Sequence, residues 1–212
     1  MRVLKFSLGQ LQANCYFLIK NKDCLIIDPA DEASFILEEL QRRKLNLVGM
    51  LATHGHFDHI MAAGEIQKSL NVALYIFKED QFLIDRLEET AEYFLGYRSV
   101  ILKPTLIKHL AAQAGLIKVK NKIGSFEFDL FHTPGHTPGS CCFYFKKERV
   151  VFTGDTLFQR GIGRYDFSYS NKKDLKKSLE TLLKLPDDTI VYPGHGEKTT
   201  IAEESDFVKD LI

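Results

Sequence analysis

No stretch of the chain is apolar over the roughly 18 residues that a bilayer-spanning helix needs. Met1-Arg2-Val3-Leu4-Lys5-Phe6 also lacks the long apolar run of a secretion signal. Both absences argue against a membrane protein, and a cytoplasmic location is expected. Net charge is missing as well. The 28 Lys and Arg are matched by 28 Asp and Glu, which leaves no electrostatic footprint for nucleic acid or an anionic membrane. The four cysteines, Cys15, Cys24, Cys141 and Cys142, form no C-x-x-C pair, so neither a thiol redox motif nor a zinc ribbon is indicated. Cys141 and Cys142 adjoin on an expected strand and should face its opposite sides, as small core-filling residues. Linkers, low-complexity tracts and short-period repeats are absent too. What remains is ordinary globular composition, 45% hydrophobic and 26% charged. A chain of 212 residues can bury a sizeable core without staples, and residues 1–212 are expected to form a single domain.

The hydrophobic pattern predicts a mixed α/β chain with two similar halves. Short β-rich runs at Val3–Leu8, Cys15–Lys20 and Cys24–Asp28 suggest antiparallel strands. Asp31 is positioned to cap a helix over Glu32–Arg43, whose Phe35, Ile36, Leu37 and Leu40 fall on one stripe. A buried strand over Leu47–Ala52, a helix over His59–Leu70 and a strand over Val72–Phe77 follow. Residues 79–115 read as one or two helices and a loop. Leu116–Lys120, Ser125–Phe131, Ser140–Phe145 and Arg149–Thr153 read as consecutive strands. A helix over Asn171–Leu185, capped by Ser170 or Asn171, a strand over Thr189–Tyr192 and a helix over Ile201–Ile212 complete the order.

Chemistry is concentrated where these β-runs end. Thr53-His54-Gly55-His56-Phe57-Asp58-His59 follows one strand and precedes a helix. Residues two apart in an extended loop face the same way, so His54 and His56 can reach one ion, while Asp58 and His59 point to a neighbouring site. Imidazole and carboxylate suit zinc, iron or manganese. Three further β-runs end in glycine-bearing turns: His132-Thr133-Pro134-Gly135-His136-Thr137, Gly154-Asp155-Thr156 and Pro193-Gly194-His195-Gly196. Together they predict two ions. His54, His56 and His136 would hold the first, and Asp58, His59 and His195 the second. Asp155 would bridge them, as would a water or hydroxide. His132 is expected to shape its loop rather than ligate, and His109 to be exposed.

The segments THGHFDH, HTPGHT, FTGDTLF and YPGHG, spread over residues 53–196, resemble those of the metallo-β-lactamase-fold superfamily in its glyoxalase II-like branch. The resemblance implies a four-layer αββα sandwich with the metals at one edge between the sheets. It also implies a binuclear hydrolase, with zinc the first expectation and iron or manganese alternatives, cleaving a thioester such as a hydroxyacylglutathione. Two divalent ions acidify water and polarise a carbonyl, and a thiolate leaving group, with a pKa of roughly 8.5, needs little protonation. Asp58 would additionally orient the attacking hydroxide as a catalytic residue. Many β-lactamases of this fold carry cysteine in the second site and arginine where His59 stands; His59 and Asp155 therefore turn the expectation from antibiotics toward thioesters.

Substrate contacts are expected from Leu157–Phe167, where Arg160 and Arg164 could pair with a carboxylate and Gly161 and Gly163 permit a tight backbone path. Arg164 matches the basic residue of the glyoxalase II loop; Asp166 falls where that loop has an aromatic. Full-length glyoxalase II continues into a C-terminal helical domain that grips glutathione, whereas residues 197–212 are all that follow Gly196 here. Tyr93, Phe94, Tyr97 and Arg98 are candidate compensating contacts. Two other classes compete. Persulfide dioxygenases with a single iron share the H-x-H-x-D-H segment and a similar loop, but carry PAHDY where this chain has PGHGE. A non-catalytic metal-binding module would hold metal without turnover.

Overall fold

The computed structural model describes residues 1–110 and 118–211. Its elements in chain order are β1 (Arg2–Leu8), β2 (Ala13–Lys20), β3 (Asp23–Ile27), α1 (Ala33–Arg42), β4 (Asn46–Leu51), α2 (Phe57–Ile60), α3 (Ala63–Leu70) and β5 (Leu74–Phe77). A 3-10 turn (Lys78–Asp80), α4 (Gln81–Asp85), α5 (Leu87–Leu95) and β6 (Ile107–Leu110) follow. The second half holds β7 (Lys118–Ile123), β8 (Phe126–His132), β9 (Cys141–Phe145), β10 (Val150–Gly154), β11 (Leu157–Phe158), β12 (Gly161–Ile162), α6 (Lys172–Leu182), β13 (Ile190–Pro193), β14 (Thr199–Thr200) and α7 (Ile201–Leu211).

Two six-stranded sheets result, ordered β1-β2-β3-β4-β5-β6 and β14-β13-β10-β9-β8-β7. The first three strands are antiparallel, as their alternating pattern predicts, and β3 to β6 run parallel. Side-chain alternation then sorts the core into three apolar layers. On β2 and β3, Cys15, Phe17, Cys24 and Ile26 face Ile36 and Leu40 of α1 and Ile66 of α3. The alternate residues Tyr16, Leu18, Leu25 and Ile27 face Phe143, Phe145 and Phe152 of the other sheet. Beyond that sheet, Cys142, Tyr144, Val151 and Val191 pack on Leu175, Leu179 and Leu182 of α6. Helices, sheet, sheet and helices make the four-layer αββα sandwich. Cys141 and Cys142 face different layers, as their adjacency requires. All four cysteines are buried free thiols.

Several local expectations are corrected. The expected helix over His59–Leu70 is broken into α2 and α3, and it starts two residues earlier, at Phe57. Asp31 does not cap α1: Glu32 holds the cap position in a left-handed conformation, and the Asp31 carboxylate accepts its N–H at 2.6 Å. Asn171 does cap α6, accepting the N–H groups of Lys173 and Asp174 at 2.9 and 3.2 Å. The middle segment adds an unforeseen edge strand, β6, parallel to β5. Its Lys108 and His109 are exposed, so it lacks the apolar run of a buried parallel strand. The described part of the expected strand Leu116–Lys120 lies in β7, which continues to Ile123; residues 116 and 117, and residues 111–115 of the middle segment, lie outside the described residues. Among the described residues no helix is long and apolar enough to cross a membrane.

Candidate metal centre

The four turns singled out in the sequence meet at one edge. β4 of the first sheet leads into Thr53–His59, while β8, β10 and β13 of the second lead into His136, Asp155 and His195. Backbone bonds lock the turns together: the Cys141 N–H donates to the Thr53 carbonyl (2.8 Å), the Gly194 N–H to Gly154 (2.8 Å) and the Asn14 N–H to Gly194 (2.7 Å). The β10–β13 register shifts between Phe152 and Gly154, and Asp155 follows directly where β10 ends. Space there is tight. A Cβ on Gly154, at φ +47°, would lie 2.2 Å from Thr53 Oγ1, and one on Gly194 would lie 2.2 Å from Asp155 Oδ1.

All seven expected ligand residues converge, and their ligand atoms fall into overlapping groups in which each pair lies within 4.8 Å. In the first group, His56 Nδ1 lies 3.1 Å from His54 Nε2 and 3.0 Å from His136 Nε2. In the second, His195 Nε2 lies 3.2 Å from Asp58 Oδ2 and 3.3 Å from His59 Nε2. Asp155 lies between them, with Oδ2 3.6 Å from His136 Nε2 and Oδ1 3.5 Å from His59 Nε2.

Hydrogen bonds behind the cluster fix which ring nitrogens are bare. Thr53 Oγ1 donates to Asp28 Oδ2 (2.8 Å) and therefore accepts from His54 Nδ1 (3.1 Å). His59 Nδ1 donates to the same Asp28 oxygen at 3.0 Å. His136 Nδ1 donates to the Arg164 carbonyl at 2.8 Å. The Nε2 atoms of His54 and His136 consequently present lone pairs inward, and His59 turns its Nε2 the same way. Asp155 Oδ1 is buried, and among the described residues no hydrogen-bond donor reaches it. A buried carboxylate oxygen without a donor is unfavourable, and a cation is what removes the penalty. The residues present thus fit divalent metal.

The two groups differ electrically. Burial, and then the neighbouring imidazoles, hold His54 and His56 well below the usual histidine range, so these two rings are neutral. Around His59, burial is outweighed by the carboxylates of Asp58 and Asp155 and the bond to Asp28, and its pKa is pushed up to about 10. Burial would raise the Asp58 pKa, but His59 and the bond to His195 hold it below the carboxylate range. The second group is therefore built to stabilise positive charge.

Five contributors were not foreseen. Asp28 ends the apolar run Cys24–Ile27 as the lone acid, which was the available signal. Asn14, buried on β2, donates to the carbonyls of Pro193 and Gly196 (3.0 and 2.9 Å), and the Tyr16 hydroxyl to Pro193 (2.6 Å), anchoring the His195 turn to the opposite sheet. Buried Asp80 accepts from Gly55 N–H (2.8 Å), Thr137 Oγ1 (2.7 Å) and Gly139 N–H (2.6 Å), joining the two histidine-bearing loops. Burial raises its pKa above the ordinary value. Tyr169 puts its hydroxyl 2.9 Å from His56 Nε2. Neither Asp80 nor Tyr169 carries a local sequence signal.

The remaining expectations are distributed. His132 stacks on Phe77 and donates to the Pro138 carbonyl at 2.9 Å, shaping its loop. Arg164 is near the cluster through its carbonyl, but its exposed guanidinium forms two bonds to Asp166 (2.9 and 3.0 Å) and lies over Phe167. Arg160 sits at the exposed tip between β11 and β12, at φ +51°, its N–H bonded to Glu204 at 2.8 Å. Of the middle-segment candidates, Phe94 reaches the site's surroundings: it stacks on Phe57 and meets Phe167, whose ring lies 5.3 Å from that of His56. Tyr93, Tyr97 and Arg98 are exposed. A recess of about 250 Å³ lined by Phe158, Gln159, His195, Gly196 and Glu197 opens on the other side.

Fold and site together define a member of the metallo-beta-lactamase superfamily, whose family model matches residues 8–195; the chain belongs to that family. Hydroxyacylglutathione hydrolase GloC of Haemophilus influenzae is 39% identical over 196 residues, covering 91% of this chain and 90% of that protein. Among solved structures, BLEG-1 B3 metallo-beta-lactamase is similar with a TM-score of 0.86 and 35% identity, covering 97% of each chain. TTHA1623 in a di-iron-bound form is similar with a TM-score of 0.85 and 35% identity, covering 95% of this chain and 96% of the other.

Proposed function

We propose that this protein is a binuclear metal-dependent hydrolase that cleaves a thioester, such as a hydroxyacylglutathione or a related acyl compound. The observation that carries the reading is Asp155, with one oxygen toward His136 and the other, lacking a hydrogen-bond partner, toward His59. In this reading His54, His56 and His136 hold one ion, Asp58, His59 and His195 the other, and Asp155 both. The donor set accepts zinc, and equally iron or manganese; the likeness to a di-iron-bound structure makes iron a working alternative. When bound, the ions would supply Lewis-acid polarisation of the acyl carbonyl and acidification of water.

The chain's own residues divide the rest of the work. Asp28 and Thr53 fix the tautomers of His54 and His59. Asp58, kept ionised, lies within hydrogen-bond reach of His195 and can orient a water on that side. Phe167 and Phe94 form an apolar flank that limits water access. A thiolate leaves without a dedicated acid. Arg164 and Arg160 are the proposed contacts for a carboxylate-bearing substrate, although Arg164 must first release Asp166. No partner other than a small acyl substrate is proposed. The free thiols are consistent with a reducing, cytoplasmic location.

The test is a panel assayed on protein of measured metal content: S-lactoylglutathione, simpler acyl thioesters, a β-lactam and glutathione persulfide. Thioester hydrolysis is the expected result. Hydrolysis of the β-lactam alone would shift the function toward that of BLEG-1, and oxygen uptake with persulfide on a single iron would replace hydrolysis by dioxygenation. Bound metal with no turnover would leave a binding module.

A further inference from the structure

Three of the histidines have their outward nitrogens held by acceptors fixed in place: Thr53 for His54, Asp28 for His59 and the Arg164 carbonyl for His136. His56 differs. It faces the cluster with Nδ1, and its outward Nε2 meets a tyrosine hydroxyl at 2.9 Å. Without a fixed acceptor on Nε2, the ring is free to carry its proton on Nδ1, pointing inward and useless for ligation.

We infer that Tyr169 is a positioning residue whose hydroxyl accepts a hydrogen bond from His56 Nε2–H in the tautomer that offers Nδ1 to the first metal group; this rests on the binuclear reading above. The tyrosine is well placed to do so. Its ring stacks on Phe167 (5.4 Å, 15°) and meets the edge of Phe82 (5.3 Å). The segment carrying it is bonded to the other histidine loop, with Ser170 Oγ donating to the His136 carbonyl (2.7 Å) and Asn171 N–H to Gly135 (2.8 Å). The Arg164 carbonyl at the start of the same segment receives the His136 Nδ1 proton. Residues 164–171 therefore act as one strap. They orient His136 through a backbone carbonyl and His56 through a side-chain hydroxyl, and these two histidines come from loops 80 residues apart.

The experiment compares the wild type with Tyr169→Phe, which keeps the ring and its stacking and deletes only the hydroxyl. Long-range 1H–15N spectra of the zinc-loaded proteins report the His56 Nε2–H and its hydrogen bond, and chelator competition with zinc reports the two binding steps. The wild type is expected to show a downfield, slowly exchanging His56 Nε2–H. The variant is expected to lose that signature and about tenfold or more in one binding step, with the other unchanged. An identical His56 Nε2–H signal in both proteins, or two unchanged binding steps, overturns the role of Tyr169 while the metal centre stands. A wild type that binds no zinc, iron or manganese overturns the centre and the inference with it.

Discussion

Asp155 is the residue on which the two halves of the centre depend. It is the acid that lies against both histidine groups, with Oδ1 toward His59 and Oδ2 toward His136 and, at 3.8 Å, His195. Asp155→Ala is therefore expected to lower occupancy of both sites, read as metal per chain by atomic spectroscopy after equilibration against a weak chelator. Two tightly held ions in that variant would refute the bridge. His195 belongs to one group, and His195→Ala should chiefly empty that group, leaving about one ion per chain; a content of two would show the ligand assignment to be wrong. Behind them, Asp28 sets two tautomers through a single oxygen. Asp28→Ala should weaken metal binding by about 10- to 100-fold, the usual consequence of losing such a partner. A Kd within twofold of the wild type would mean that the rings are held by packing alone.

At the scale of elements, the site is a set of strand ends clamped by a few buried polar side chains. Asp80 closes the gap between the loops after β4 and β8, and its removal strands the N–H groups of Gly55 and Gly139, while the Thr137 hydroxyl keeps Ser140 Oγ at 2.8 Å. With unsatisfied buried donors unfavourable by about 1–3 kcal/mol each, Asp80→Ala should destabilise the protein by about 2 kcal/mol or more in chemical denaturation of the metal-free form. A change under about 0.5 kcal/mol would show that the loops do not need the tie. The ligand-bearing strand ends were legible in the sequence because a short apolar β-run, a glycine and a His or Asp occur together four times. Asp80, Asn14 and Tyr169 were not legible: each acts across a distance of 25 to 182 residues on backbone or ring atoms, and nothing local marks such a role. Edge strand β6 was missed for a related reason. Its pairing with β5 is a tertiary event, and its exposed Lys108 and His109 mask the β pattern.

For the whole molecule, alternation did most of the work. The period of two on β2, β3, β9 and β10 sends successive residues to different layers, so two strand-rich halves with helices between them already contain the four layers. The closure of the two sheets on each other is not written in any one segment. It depends on aromatic packing such as Tyr16 against Phe152 and against Tyr192. Phe143, wholly buried between the sheets, gives a control for the centre. Phe143→Ala should lower stability by about 3–5 kcal/mol while metal content per folded chain stays at the wild-type value; a selective loss of metal would mean that the inter-sheet core, and not only the strand ends, shapes the site. The most direct measurement is a titration of metal-free wild type with zinc, iron or manganese while thioester hydrolysis is followed. Turnover is expected to rise with bound metal, to reach its plateau at two ions per chain and to disappear with chelator. A plateau at one ion, or two bound ions with no acyl substrate cleaved, would contradict the binuclear hydrolase assignment.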